Sequence, residues 1–292
     1  MQMQATIQTI DTHCHLDNEV YKQDLESVIT RALQAQVQQM IIPAADMRTL
    51  ERARSLANRF ESIYFASGAH PYDLEYFEID KVREYALNDK CVAIGECGLD
   101  FYGLPEKQEN ESVHSYKQRI IAYKQRQIHA FVSQIELALE LQLPLIVHIR
   151  EASLEAFKIL EKFSKQGLKG VLHCYNADRI LLDLSENFYY GIGGVSTFKN
   201  AHQLLEVLPL IPKERLLLET DAPYLTPHPH RGTRNEPSYI PLIAEKIAET
   251  LGESIESIAR LSTENAYRLF EKIAEFGKDL HAKRTKNLER IL

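Results

Sequence analysis

Short apolar runs rich in β-branched residues alternate with longer amphipathic stretches along most of this chain, the rhythm of repeated strand–helix units. The apolar runs place strands near 8–13, 38–43, 63–68, 91–96, 144–149, 169–174, 188–193 and 215–220. Helical spacing falls between them, near 22–36, 48–60, 80–88, 115–142, 152–165, 178–186 and 199–209, with a final pair near 239–250 and 254–272. Eight such repeats predict an α/β fold, a closed (β/α)8 TIM barrel read as a single domain over 1–275. An open doubly wound sheet is the alternative. It would not readily bring residues from strands 1, 4, 5, 6 and 8 together, whereas in a barrel all strand C-termini meet on one face.

Two segments break the rhythm. A polar, charged stretch near 104–125 leads into a helix long for a barrel, and we expect it to form a surface excursion beside the mouth of the barrel. The tail over 276–292 carries several basic residues on a helical pattern; a solvated terminal helix is expected, with a substrate-binding or partner-binding arm as the alternative.

Composition changes this picture little. The 292 residues are 45% hydrophobic and 26% charged, as in an ordinary globular protein. No apolar stretch approaches the roughly 18 residues needed to span a bilayer, and no basic region followed by an apolar core opens the chain. A cytoplasmic location without a membrane partner is the default expectation, and no obligatory protein partner is legible. The net charge is −7. Phosphate recognition must therefore come from a local basic cluster or from metal ions rather than from the global field. Cys14, Cys91, Cys97 and Cys174 lack C-x-x-C spacing, so they are expected as free, small core residues rather than disulfides or zinc ligands.

The candidate chemistry sits at the strand ends. His13 and His15 follow the first apolar run, and on a strand alternate side chains share a face, so both imidazoles can grip one cation. Further runs end in Glu96, His148, His173 and Asp221. Imidazoles and carboxylates without thiolates suit two divalent ions, Mg²⁺, Mn²⁺ or Zn²⁺. Around the barrel, His13, His15 and Asp221 would hold one ion and His148 and His173 a second, with Glu96 bridging them. Such a pair activates water and clamps an oxyanion, and Asp221 is the candidate general base as well as ligand. Asp221 and Glu96 are accordingly the candidate catalytic residues.

Four residues are candidate substrate contacts: His70 after the third strand, Arg150 just beyond His148, Tyr175 just beyond His173, and Arg231 in the Pro- and Gly-rich loop after the eighth strand. A structural role remains the alternative for each. His228 and His230 lie between prolines with no strand to fix them. We read them as weaker ligand candidates, and His114, His129, His202 and His281 as surface residues.

The motifs Asp11-Thr-His-Cys-His-Leu-Asp17, Gly68-Ala-His-Pro71, Ala93-Ile-Gly-Glu-Cys-Gly-Leu-Asp-Phe101, Leu143-Pro-Leu-Ile-Val-His-Ile-Arg-Glu-Ala152, His173-Cys-Tyr and Leu218-Glu-Thr-Asp-Ala-Pro-Tyr-Leu-Thr-Pro227 are specific in combination. With Arg231-Gly and Asn235-Glu-Pro237 they resemble the TatD family of metal-dependent deoxyribonucleases, within the amidohydrolase superfamily, from about Ile10 to Phe270. The resemblance implies a TIM-barrel hydrolase, most simply a 3′–5′ exodeoxyribonuclease or phosphodiesterase. DNA would be its substrate, with RNA or tRNA also open, and the matching positions would hold two divalent ions. Deacylation of misacylated tRNA, or another ester or amide hydrolysis on the same site, is the alternative. The stretch between Glu96 and His148 and the C-terminal tail are both longer than the family usually has. Dinuclear cyclic-amide hydrolases of the superfamily bridge their metals with a carboxylated lysine, and Glu96 at that position argues against them. A mononuclear deaminase would leave Glu96 without a ligand role, and a non-catalytic binding module would be expected to lack a ligand or the base.

Overall fold

The structure is a computed structural model that describes residues 8–273. The basic tail over 276–292 and His281 lie outside the described residues.

Eight parallel strands form one sheet in strictly sequential order: β1 (Thr9–Asp11), β2 (Val37–Ile42), β3 (Ile63–Ser67), β4 (Cys91–Asp100), β5 (Leu145–Arg150), β6 (Gly170–Leu172), β7 (Phe188–Ile192) and β8 (Leu216–Leu218). Backbone hydrogen bonds carry β8 back to β1. Thr12 donates to the Leu218 carbonyl at 3.1 Å, Asp221 to that of His13 at 2.9 Å and His15 to that of Ala222 at 2.7 Å. The sheet is thereby a nearly closed barrel, as the eight repeats predict.

Period-2 alternation decides which side chains fill it. Ile10, Ile41, Tyr64, Val92, Ile146, Val171, Tyr189 and Leu217, about one from each strand, form a buried cluster of their own. Leu269, Phe270 and Ile273 join them from the C-terminal end of the described residues and close the floor of the barrel. Their strand neighbours, Ile42, Phe65, Ile94, Val147, Leu172, Tyr190 and Leu218 among them, face the other way into a larger core beneath the helices.

Those helices are α1 (Leu25–Gln34), α2 (Leu50–Arg59), α3 (Ile79–Ala86), α4 (Val113–Leu141), α5 (Ser153–Ser164), α6 (His202–Val207), α7 (Ile240–Leu251) and α8 (Ile255–Leu269). The helix expected near 178–186 is instead a 3-10 segment, Arg179–Leu184, capped by the Asp178 side chain on the Ile180 amide. The charged stretch near 104–125 divides in two. It is irregular up to Ser112, whose hydroxyl caps the Ser115 amide, and from there it is the first part of the 29-residue α4. No described helix is long and apolar enough to cross a membrane.

α4 reaches back to the barrel through buried glutamines. Gln127 accepts from the Asp100 amide and donates to its carbonyl, each at 2.9 Å. Gln134 does the same for Ala69, at 2.7 and 3.2 Å. Each amide side chain thus satisfies a strand end that would otherwise lack partners in an apolar interior.

Candidate metal centre

The loops leaving the strands turn sharply. Ala44 after β2, Glu151 after β5, Cys174 after β6 and Asp221 after β8 all adopt left-handed backbone, with φ of 54°, 51°, 42° and 57°. Residues other than glycine seldom do so, and such strain concentrates where a fold positions functional groups. Close approach is built in as well. A Cβ at Gly68 would stand 2.5 Å from Cα of Gly95, and one at Gly95, where φ is +138°, would stand 2.5 Å from the Ile146 carbonyl oxygen.

This packing brings six side chains to the C-terminal mouth of the barrel. β1 ends at Asp11, yet Cys14 still forms a parallel bridge with Ala222, and the Nε2 atoms of His13 and His15 lie 3.3 Å apart. Asp221 Oδ1 is 3.3 Å from His15 Nε2 and 3.7 Å from His13 Nε2. Glu96 lies within β4 rather than at its end, as does His148 within β5. Glu96 turns Oε2 toward His13 Nε2 at 3.4 Å and Oε1 toward His148 Nδ1 at 3.0 Å. His173 follows β6, and its ring stacks on His13 with centroids 3.4 Å apart. Its Nε2 is 3.9 Å from both Glu96 Oε1 and Asp221 Oδ1.

His70 is closer to this group than its sequence context indicates. Its Nε2 is 3.6 Å from Glu96 Oε1, and with Glu96 and His148 it forms one of three donor groups whose atoms lie within 4.8 Å of one another. The other two are His13, His15 and Glu96, and His13, His173 and Glu219.

The donor set fits divalent cations. With bonds of 2.0–2.2 Å, ligand atoms around a tetrahedral ion are about 3.3–3.6 Å apart, close to the spacings among His13, His15, Glu96 and Asp221. The charge balance agrees. Burial opposes ionisation of Glu96 and Asp221, yet the surrounding histidines hold both below the usual carboxylate range. The same carboxylate field overcomes burial at His173, where Glu219 above all pushes the imidazole up to about 10. A cluster that retains protons against such desolvation is one where a cation is favoured. His70 goes the other way: burial takes it down to about 4, so it is neutral near pH 7.

Three carboxylates behind this group escaped the sequence reading. Asp100 Oδ2 lies 3.0 Å from His148 Nε2, and Glu219 Oε1 lies 3.0 Å from His173 Nδ1 while accepting from the Cys174 amide at 2.6 Å. Glu219 occupies the space that a Cβ at Gly191 would fill. Asp11 ties the ends of β1 and β8 together: it accepts from the His13 and Thr220 amides at 3.2 and 3.0 Å and from the Thr220 hydroxyl at 2.5 Å. The available signal was weak, a single acidic residue closing an apolar run in Gly-Leu-Asp100 and Leu-Leu-Leu-Glu219.

The group forms the floor of a cavity of about 680 Å³. His15, His70, Glu96, His148, His173 and Asp221 line it, with Asp17, Glu19, Asp46, Asp73 and Asp100 adding negative charge. Arg150 is the only lysine or arginine among its lining residues, and its guanidinium lies over the Tyr102 ring at 3.7 Å. A second, more apolar cavity of about 340 Å³ adjoins it across His148 and His173. Tyr175 lines that smaller cavity, but it is buried and its hydroxyl donates to the Asp178 carbonyl at 2.9 Å. Arg231 lines neither; it packs over the Phe198 ring at 3.8 Å and donates to the Thr226 carbonyl. His230 stacks on Tyr239. All four cysteines are free thiols, and Cys14, Cys91 and Cys97 are buried.

Comparison with known proteins agrees with this geometry. The model of the TatD related DNase family matches residues 10–271. The metal-dependent hydrolase YabD of Bacillus subtilis (strain 168) is 41% identical over 265 residues, covering 89% of this chain and 98% of its own. The 3′-5′ ssDNA/RNA exonuclease TatD of Escherichia fergusonii is 33% identical over 274 residues, covering 89% and 98%. Among solved structures, the TatD homologue YjjV of Escherichia coli K12 superposes with a TM-score of 0.76 at 29% identity, covering 91% of this chain and 98% of its own.

Proposed function

The chain belongs to the TatD related DNase family of metal-dependent hydrolases, and on that premise we propose that it is a 3′–5′ exonuclease acting on single-stranded DNA from a dinuclear site. The observation that carries the reading is the placement of Glu96. Its two oxygens face different histidines, His13 on one side and His148 on the other, as a bridge between two ions would. His13, His15 and Asp221 would hold one ion, and His148 and His173 the other. His70 lies near enough to the second group to touch either the ion or the substrate phosphate. The polarity and the single-stranded substrate come from the exonuclease relative.

Ions held there would supply Lewis acidity, polarising the phosphoryl group and making water acidic enough to attack near neutral pH. The chain's own residues do the rest. Asp221, kept ionised by its histidine neighbours, takes the proton from the attacking water as the terminal P–O3′ bond breaks. A 5′-mononucleotide leaves, and the shortened strand keeps a 3′-hydroxyl. Asp100 and Glu219 hold the rings of His148 and His173 by their far nitrogens, fixing tautomer and orientation. Arg150, at the wall of the cavity, is placed to meet a phosphate oxygen.

A second reading, hydrolysis of an aminoacyl ester on tRNA, draws on one observation. The acidic wall of Asp17, Glu19, Asp46 and Asp73 suits a substrate bearing an ammonium group. End-labelled single strands decide between the two. The exonuclease reading expects stepwise shortening from the 3′ end by metal-loaded protein, reduced at least about 100-fold in Asp221→Asn. Intact strands alongside cleaved aminoacyl ester would favour the second reading.

A further inference from the structure

Two exposed tyrosines line the cavity and a third lies beside a residue of its wall. Tyr72, Tyr76, Tyr102 and Tyr224 have 48%, 44%, 59% and 53% of their surface open to solvent. Every other aromatic side chain among the described residues is buried or half-buried. Exposed aromatics gathered at one place are informative where scattered ones are not.

Tyr72 and Tyr224 line the cavity itself. Their rings lie 5.2 Å from His70 and 5.7 Å from His15. Tyr102 lies over Arg150, the cationic residue of the cavity wall.

Each of these three rings is also held from behind. Arg150 covers one face of Tyr102. The Tyr72 ring rests against Gly103, where a Cβ would come within 3.1 Å of its hydroxyl. The Tyr224 hydroxyl accepts from Asn18 Nδ2 at 3.2 Å. The rings are therefore held in place yet open to solvent, so a partner that stacks on them meets little further ordering cost.

Charge indicates what that is not. Glu19, Asp46 and Asp73 on the wall are already paired with Lys22, Arg52 and Arg48, while Asp17 and Asp100 outnumber the single arginine that lines it, so a polyanion gains little here from its phosphates. The flat faces of unpaired bases are the part of a strand this surface can hold, since stacking on aromatic rings is tolerant of sequence and unavailable to bases paired in a duplex.

We propose that Tyr72, Tyr102 and Tyr224 form a stacking platform that binds the nucleobases next to the scissile phosphate of a single strand. This rests on the exonuclease reading and adds to it that the bases, more than the backbone charge, anchor the substrate. In this arrangement Tyr102 and Tyr224 are binding residues, and they take no part in bond breaking.

The test compares two 5′-labelled DNA strands, one ordinary and one whose last four 3′ nucleotides are abasic tetrahydrofuran residues. Wild type, Tyr102→Leu, Tyr224→Leu and the two Tyr→Phe variants are assayed with metal. We expect each Leu variant to raise KM for the ordinary strand about tenfold with kcat little changed, and Phe to restore it. The abasic strand should show a high KM that none of the substitutions moves. If the Leu variants match wild type on both strands, or if wild type does not distinguish the strands, the platform is refuted and the exonuclease reading stands. If wild type shortens neither strand, the exonuclease reading fails and the platform with it.

Discussion

At the scale of single residues, the candidate site includes carboxylates that face the outer nitrogens of its histidines. His173 is seated by Glu219, and His148 by Asp100. Removing such partners commonly weakens metal binding 10–100-fold. Glu219→Gln and Asp100→Asn should each lower affinity for Mn²⁺ by about that factor, read by titration calorimetry, with the circular dichroism spectrum unchanged. Wild-type affinity in both would show that the far nitrogens need no anionic partner. The sequence reading reached His13, His15, Glu96, His148, His173 and Asp221 because each follows or interrupts an apolar run, where a polar residue stands out. It missed Asp11, Asp100 and Glu219 because a lone acid beside a strand carries no mark of its partner. Tyr175 and Arg231 were legible as residues near strand ends, but their direction was not. The backbone turns after β6 and β8, with Cys174 and Asp221 at positive φ, decide where those neighbours point.

At the scale of elements, the order and number of strands followed from hydrophobic rhythm alone, while their ends did not. β6 and β8 are three residues each, and His173 and Asp221 lie beyond them, because the chain leaves the sheet as soon as the barrel mouth opens. Tight packing at that mouth gives one expectation. Gly95→Ala combines a φ of +138° with a Cβ that would meet the Ile146 carbonyl, and it should cost at least about 1–3 kcal/mol in denaturant titration. An unchanged midpoint would mean that β4 and β5 can separate freely.

A second expectation concerns the loop after β8. Glu236 accepts from Arg31 Nε and Nη2, each at 2.7 Å, joining that loop to α1, and Arg234 pairs with Asp24 and Glu236. Burial opposes the Glu236 charge, but the two arginines hold its carboxyl below the usual range. A depressed carboxyl pKa stabilises the fold above the unfolded value and ceases to do so as pH falls through the folded one. Glu236→Gln should therefore cost roughly 1–2 kcal/mol near pH 7, the exposed arginines being partly screened. The difference from wild type should vanish in acid, below the folded pKa. A difference that persists there would point to packing rather than charge.

At the scale of the whole molecule, a chain of net charge −7 gathers further acid around the cavity above the histidine and carboxylate cluster, an unpromising field for a polyanionic substrate. On the proposed reading, divalent cations at the floor and tyrosines at the rim would together resolve the conflict, the first by neutralising the centre and the second by binding the part of the strand that carries no charge. The acidic composition was plain in the sequence, but the placement of exposed rings was not, because Tyr72, Tyr102 and Tyr224 follow different strands and come to one cavity only when the barrel closes.

The most direct measurement follows metal and activity together. Metal-stripped protein is titrated with Mn²⁺, bound ions are counted by elemental analysis, and the shortening of a 5′-labelled single strand is measured in the same samples. The account expects hydrolysis to rise with occupancy and level off at two ions per chain, with products shortened from the 3′ end. Full activity at one ion, or two bound ions with the strand intact, would contradict it.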